Sequence, residues 1–315
     1  MGIAMQGDVM AVACHDQIMI LKADPKLANS YPTKSYVYDN VYLPRQSYYT
    51  GPVDVHDIHY GNDGHLYGVN TLFSTICRFD QIESFTPIWK PSIIDSLKPI
   101  DACHLNGLAM KDGRPTYVSA LGYSNEPQGW RHQFPSSGVI IDVDSNEIIA
   151  SDLMMPHTPR WYDDKLYALC SASEQLVTVD LQSGQTTDVC HIPGFVRGMS
   201  RIEDYVFVAS SKLRKNSSVF RDLSIADRSN QAAITAVHLP TGTKVAHLSY
   251  LSSVDEIYDV QIVTDFRRLN ILNRTHEPAR QSISTRGFSS WPMQRQTDDQ
   301  HISVITSKKH HLPTN

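Results

Sequence analysis

Three histidines, two carboxylates, an asparagine and an arginine stand at matching places in short β-rich segments of this 315-residue chain. Asp54 and His56 lie in Asp54-Val55-His56-Asp57-Ile58-His59, and His104 and Asn106 in His104-Leu105-Asn106-Gly107-Leu108-Ala109. His157 opens His157-Thr158-Pro159-Arg160-Trp161, Arg197 lies in Phe195-Val196-Arg197-Gly198-Met199, and Glu256 opens Glu256-Ile257-Tyr258-Asp259-Val260. Imidazole nitrogens with carboxylate oxygens form the donor set of a divalent transition metal. His56, His104, His157 and Glu256, with Asp54 in support, are therefore candidate ligands of Zn(II), Fe(II) or Mn(II), ahead of Ca(II), which takes oxygen donors. Without a metal the same histidines suit acid–base work. His56, His104, His157, Arg197 and Glu256 make the candidate catalytic set. Asn106 and Arg197 would orient an anionic or carbonyl-bearing substrate, and Trp130 and Arg131 would form part of a lid. No G-x-S-x-G, P-loop or G-x-G-x-x-G is present, so neither a hydrolase elbow nor a nucleotide cofactor is expected.

The elements that must position these residues read as strands. Val9–Ala13, Gln17–Leu21, Gly138–Val143 and Tyr205–Ala209 are rich in Val, Ile and aromatics, the composition of a half-buried pleated surface. The segments repeat one plan of strand, short polar turn and second strand. The turns are Asn62-Asp63-Gly64, Lys111-Asp112-Gly113, Asp163-Asp164-Lys165 and Ile202-Glu203-Asp204. The starts recur roughly every 40–60 residues, the period of a propeller blade. With a first copy at Gly2 to Cys14, six copies predict an all-β fold, a six-bladed β-propeller over residues 1–274. Residues 275–315 are predicted to be a polar tail, disordered or loosely attached; either Ile302–Ile305 supplies a strand that closes the ring or N-terminal residues close it.

Blade geometry then sorts the connections. First-to-second and third-to-fourth turns fall on one face and are short. The long segments Lys22–Val53, Gln81–Cys103, Gly122–Ser137 and Lys212–Gln231 fall on the other, where loops on a rigid scaffold carry function. They hold Tyr31, Tyr36, Tyr38, Tyr42, Tyr48 and Tyr49, Trp130 to His132, and Arg214, Phe220 and Arg221. The inner strands start at that rim. Aligning copies by apolar residues sets Asp54, His104, His157 and Glu256 level, with Phe195 the odd one. His56, Asn106, Pro159, Arg197 and Tyr258 stand two residues on, in a second tier roughly 6–7 Å deeper. Arg160 points the other way, toward blade packing or a salt bridge, and Asp57 and Asp259 rank below the tier residues.

Composition narrows the partners. Lys plus Arg number 28 against 33 Asp plus Glu, a net charge of −5, so no basic field invites nucleic acid. No apolar run has the length of a membrane span, and no signal peptide is readable at the start. Five widely spaced cysteines without C-x-x-C fit reduced, buried thiols in a cytoplasmic protein, Cys103 included.

Several strings also resemble a known family. They include His56-Asp57-Ile58, Trp89-Lys90-Pro91, Cys103-His104-Leu105-Asn106-Gly107-Leu108-Ala109, Gly129-Trp130-Arg131, Met155-Pro156-His157-Thr158-Pro159-Arg160-Trp161, Pro193-Gly194-Phe195 and Glu256-Ile257-Tyr258-Asp259-Val260. In this order they are similar to the uncharacterised bacterial family DUF4915, from about residue 2 to about residue 270. The resemblance implies a shared site at the motif positions and no particular activity. Thr71 to Thr75 and Asp101-Ala102 depart from the family pattern, which implies altered substrate contacts. Asn106 to Ala109 also resembles the inner strands of gluconolactonase-like and strictosidine-synthase-like propellers. The expectation is a metal-dependent enzyme acting on a small molecule or peptide at the channel mouth, by hydrolysis or isomerisation ahead of redox chemistry. The alternative is a non-catalytic platform whose tyrosine-rich loops bind a peptide or protein partner.

Overall fold

The computed structural model describes residues 1–213, 220 and 223–291. The structure is all-β and propeller-like, with five blades. Blade 1 holds β1 (Ile3–Gln6), β2 (Val9–Ala13), β3 (Gln17–Ala23) and β4 (Asn40–Tyr49). Blade 2 holds β5 (Val55–Tyr60), β6 (Leu66–Asn70), β7 (Thr75–Phe79) and β8 (Thr86–Trp89). Blade 3 holds β9 (Leu105–Lys111), β10 (Arg114–Ala120), β11 (Gly138–Asp142) and β12 (Ile148–Leu153). Blade 4 holds β13 (Pro156–Tyr162), β14 (Lys165–Cys170), β15 (Gln175–Val179) and β16 (Thr186–His191). Blade 5 holds β17 (Phe195–Ile202), β18 (Tyr205–Ser211), β19 (Ala232–His238) and β20 (Thr243–Tyr250). β21 (Leu269–Ile271) adds in parallel to β4 at the rim of blade 1.

Local chemistry explains the hairpins. Between β9 and β10, Asp112 and Gly113 both adopt positive φ (51° and 72°), the mirror-image turn whose twist matches two antiparallel strands. Apolar residues then fill the spaces between blades. Ala11, Ile18, Val55 and Ile58 join blades 1 and 2; Val69, Ile76, Leu105 and Val118 join blades 2 and 3. Ala109, Ile140, Leu166 and Val177 join blades 3 and 4, and Leu169, Leu176, Val196 and Val206 join blades 4 and 5.

A sixth four-stranded blade does not form among the described residues. Its place on the axis is taken by residues 255–260, which run without a ladder between β17 and β1. Ser211 Oγ donates to Ile257 O at 3.1 Å, and Asp259 Oδ2 accepts from Ile3 N at 2.9 Å. Gly198 makes this approach possible, because a Cβ there would lie 2.4 Å from Asp259 Cα. The chain continues onto the free face of blade 1, where Val263 and Leu269 pack on Met10, Leu21 and Tyr42. The expected sixth blade is thus reduced to its innermost segment. The sequence after Val260 lacks the alternating apolar residues that a four-stranded sheet would bury.

Part of the stretch read as a polar tail is built onto blade 1. α1 (Pro25–Ala28), α2 (Glu277–Gln281) and the hairpin of β22 (Ile283–Ser284) and β23 (Ser289–Ser290) surround Leu27, Tyr31 and Leu272. Trp291 Nε1 donates to Leu27 O at 2.9 Å. Residues 292–315, with the strand expected at Ile302–Ile305, lie outside the described residues, as do Arg214 and Arg221.

Candidate functional site

The inner strands meet at the mouth in a register that backbone bonds define. Thr71 N donates to Asp54 O, Leu121 N to His104 O and Ser171 N to Met155 O, so Asp54, His104 and Met155 are equivalent. All three take positive φ (57°, 50° and 57°). A second marker agrees: Thr71 Oγ1 donates to Leu105 O at 2.5 Å, Ser171 Oγ to Val196 O, and Ser211 Oγ to Ile257 O. Each hydroxyl ties its blade to the next inner strand. By this register the outer tier holds Asp54, His104, Met155, Phe195 and Glu256. The second tier holds His56, Asn106, His157, Arg197 and Tyr258.

His157 therefore sits one tier deeper than the apolar alignment placed it, and Pro159 leaves the channel. The alignment slipped because Pro156, not His157, occupies the apolar place of Val55 and Leu105. The inner strands of blades 2 to 5 also carry register shifts near the mouth, between Val55 and Ile58, His157 and Arg160, and Val196 and Met199, and opposite Ser119 and Ala120. A bulge breaks the two-residue alternation on which the tier reading relied.

The histidines are held in one tautomer. The Thr71 hydroxyl proton is spent on Leu105 O, so the His56 Nδ1 contact at 2.7 Å must have the ring as donor. His157 Nδ1 faces Met155 O at 2.9 Å, a carbonyl that can only accept, and Ser171 Oγ at 2.7 Å. His104 Nδ1 lies 3.0 Å from both oxygens of Asp101, whose Oδ2 also accepts from Trp130 Nε1 at 3.0 Å. The Nδ1 protons of all three rings are thus committed inside the protein. The rings of His56 and His104 are 5.1 Å apart, and His104 packs 4.6 Å from Trp130. Burial, reinforced by His104, lowers the His56 pKa to about 4 against the pull of Asp54. Burial and then the Arg197 charge lower that of His157 to about 3, so both rings are neutral at physiological pH.

Arg197 lies between two aromatic faces, 4.9 Å from the Phe195 ring and 4.3 Å from the Tyr258 ring, with Nη1 3.5 Å from Glu256. Its Nε is buried without a partner among the described residues, as is Nδ2 of Asn106, whose Oδ1 accepts from Ser119. Trp130 is buried in a roof with Met155, Phe195 and Leu223, so it is a wall rather than a swinging lid. Arg131 is exposed and stacks 4.5 Å from the Trp130 ring. The residue of the mouth that sequence reasoning passed over is Asp101, which holds His104 and Trp130 together. Its signal was its place three residues before His104 in a segment that departs from the family pattern.

The side chains expected to share a metal are distributed otherwise. Asp54 is half-exposed, 3.6 Å from His56 Nδ1, and Glu256 faces Arg197. Among the described residues no three His, Cys, Asp or Glu side chains are placed to hold one ion. The tyrosines expected to form a platform are largely structural. Tyr42 is core, and Tyr31 packs on Tyr38 and Trp291, whereas Tyr36 and Tyr49 are exposed (78% and 72%). Cys103 is a buried thiol, pushed up to about 11 by burial.

Below the tiers lies a second polar cluster. Arg160 reaches from β13 past β9 to β5, bonding Asp57 at 2.8 and 3.2 Å and Leu108 O at 3.0 Å. Burial opposes ionisation of Asp57, yet Arg160 beside it holds the carboxyl well below the usual range.

The model of a domain of unknown function, DUF4915, matches residues 1–272. The chain belongs to this family. The DUF4915 domain ends at the join of β21 to blade 1, so it takes in every residue of the mouth. No curated protein matches the sequence. Among solved structures the domain is similar to a streptogramin B lyase (10% identity, TM-score 0.43, 79% of this chain and 67% of that one). It is also similar to virginiamycin B lyase from Staphylococcus aureus (12% identity, TM-score 0.41, 79% and 68%). No helix of the described residues is long and apolar enough to cross a membrane.

Proposed function

We propose that the mouth is a proton-transfer site for a small anionic or carbonyl-containing substrate, performing hydrolysis or isomerisation. The observation that carries this reading is His104, whose Nδ1 rests on both oxygens of Asp101 while Nε2 is left to the mouth. A carboxylate on Nδ1 fixes the tautomer and stabilises the imidazolium once Nε2 takes a proton. Trp130 holds that carboxylate from the other side and covers the ring. Arg197, braced by Phe195, Tyr258 and Glu256, supplies the positive charge for an anionic group. The loss of His104 would cost roughly 10²–10⁴-fold in rate, the usual share of general acid–base catalysis.

The test is turnover of a panel of lactones, esters and keto acids by wild type and His104→Asn. Loss of turnover with unchanged thermal unfolding supports the reading, and equal turnover overturns it. A divalent ion would draw on the same Nε2 lone pairs, the form in which neutral histidine ligates. Stoichiometric Zn, Fe or Mn in purified protein, lost in a His104→Ala/His157→Ala double variant, would replace the acid–base reading by the metal-dependent one.

A further inference from the structure

The second tier has a hydrogen-bonding complement of its own. Its members run in order around the axis: His56, Asn106, His157, Arg197 and Tyr258. His56 and His157 have their Nδ1 protons spent inside the protein, so each offers one lone pair and no proton. Asn106, only 4% exposed, and Arg197 each hold a buried N–H without a partner among the described residues. A buried donor left unmade costs free energy, so such atoms mark a place where a ligand or water completes them. Acceptors thus flank a donor and stand next to a cation. An acceptor that cannot protonate near neutrality selects a ligand bearing hydroxyl protons, and the cation with the amide selects an anionic oxygen.

We propose that the second tier binds a small hydroxylated carboxylate: Arg197 and Asn106 hold the carboxylate, and His56 and His157 accept from its hydroxyls. This rests on the reading of the mouth as a small-anion site and names its substrate class. The Thr71 and Ser171 hydroxyls are positioning groups, because they keep the two rings as acceptors while tying blade 2 to blade 3 and blade 4 to blade 5.

The experiment compares acids of equal charge that differ in hydroxyls: glycerate against propanoate, and tartrate against succinate. Binding is measured by calorimetry and by tryptophan fluorescence, to which Trp130 beside His104 contributes. Two hydrogen bonds to neutral acceptors predict at least about tenfold tighter binding of the hydroxylated member. His157→Phe removes one of the two acceptors and should cut that ratio to about threefold. His157 is buried, so ¹⁵N NMR of wild type serves as a second measurement that needs no variant. Nδ1 of His56 and His157 should carry the proton, and their Nε2 resonances should shift with glycerate and not with propanoate. Equal affinity for hydroxylated and deoxygenated acids overturns this inference alone, as does a proton on Nε2. Failure of every acid to bind overturns the anion site together with it. The turnover measured with His104→Asn bears on the catalytic reading and does not enter the ratio.

Discussion

The mouth ring and the Asp57–Arg160–Asp259 cluster are built on the same inner strands, a few residues apart, yet their hydrogen bonds are organised in opposite ways. In the lower cluster the charges are spent on one another. Arg160 takes both oxygens of Asp57 and two carbonyls, Asp57 also accepts from Leu108 N, and Asp259 accepts from Ile3 N. In the ring above it, three histidines have only their Nδ1 side committed inside the protein, and Asn106 Nδ2 and Arg197 Nε are buried without a partner among the described residues. A closed network holds a ring of strands together, whereas an open one is complementary to something absent from the chain. Charge alone does not separate the two. The lower cluster carries the more strongly perturbed carboxylates and is the structural one.

The largest expected effect tests the closed half. Arg160→Met leaves Asp57 buried without its counter-charge and should cost about 3–5 kcal/mol of unfolding free energy by chemical denaturation. Stability equal to wild type would show that the cluster does not clamp blades 2 and 4. On the open half, His104→Asn should lose roughly 10²–10⁴-fold in turnover with little change in stability. A variant that lost stability instead would move His104 into the structural class.

The pH dependence sharpens the contrast. Burial, aided by Asp57, raises Asp259 from 3.8 to about 7 against the pull of Arg160. The folded chain therefore holds a proton there that the unfolded chain releases, and stability falls as pH rises from about 4 to about 7. His56 and His157 act in the opposite sense. Their folded values of about 4 and about 3 lie below 6.5, so their contribution is present above pH 6.5 and is lost as pH falls through the folded values. Two histidines outweigh one carboxyl, so stability should rise with pH between about 4 and about 6.5. Asp259→Asn should steepen that rise, as read from denaturation midpoints at several pH values. An unchanged profile would mean that Asp259 titrates alike in both states. The smallest effect is expected at the rim. Arg131→Ala removes an exposed cation–π contact worth roughly 0.5–1 kcal/mol and should leave glycerate affinity unchanged, whereas a marked loss of affinity would restore Arg131 to the site.

The inner strands were legible because they repeat. Val, Ile and Leu around the same polar positions, with Asp-Gly, Asp-Asp and Glu-Asp turns between them, set blades 2 to 5 and the residues of the mouth. Two features were not legible. The tier of His157 depended on whether Pro156 or His157 takes the apolar place of Val55 and Leu105, which the backbone bond from Ser171 N to Met155 O decides. The fate of the sixth copy depended on the residues beyond Val260, since an inner segment can seat itself against Gly198 and Ile3 without a sheet behind it.

By itself the sequence determined the residue types that gather on the axis and the repeat that gathers them, because composition and period act locally along each strand. Only the tertiary structure decided how those residues divide their hydrogen bonds. Whether a histidine is a donor or an acceptor depends on where the proton of Thr71 or Ser171 goes, and that proton goes to a carbonyl of the next blade, 34 or 25 residues away in the chain.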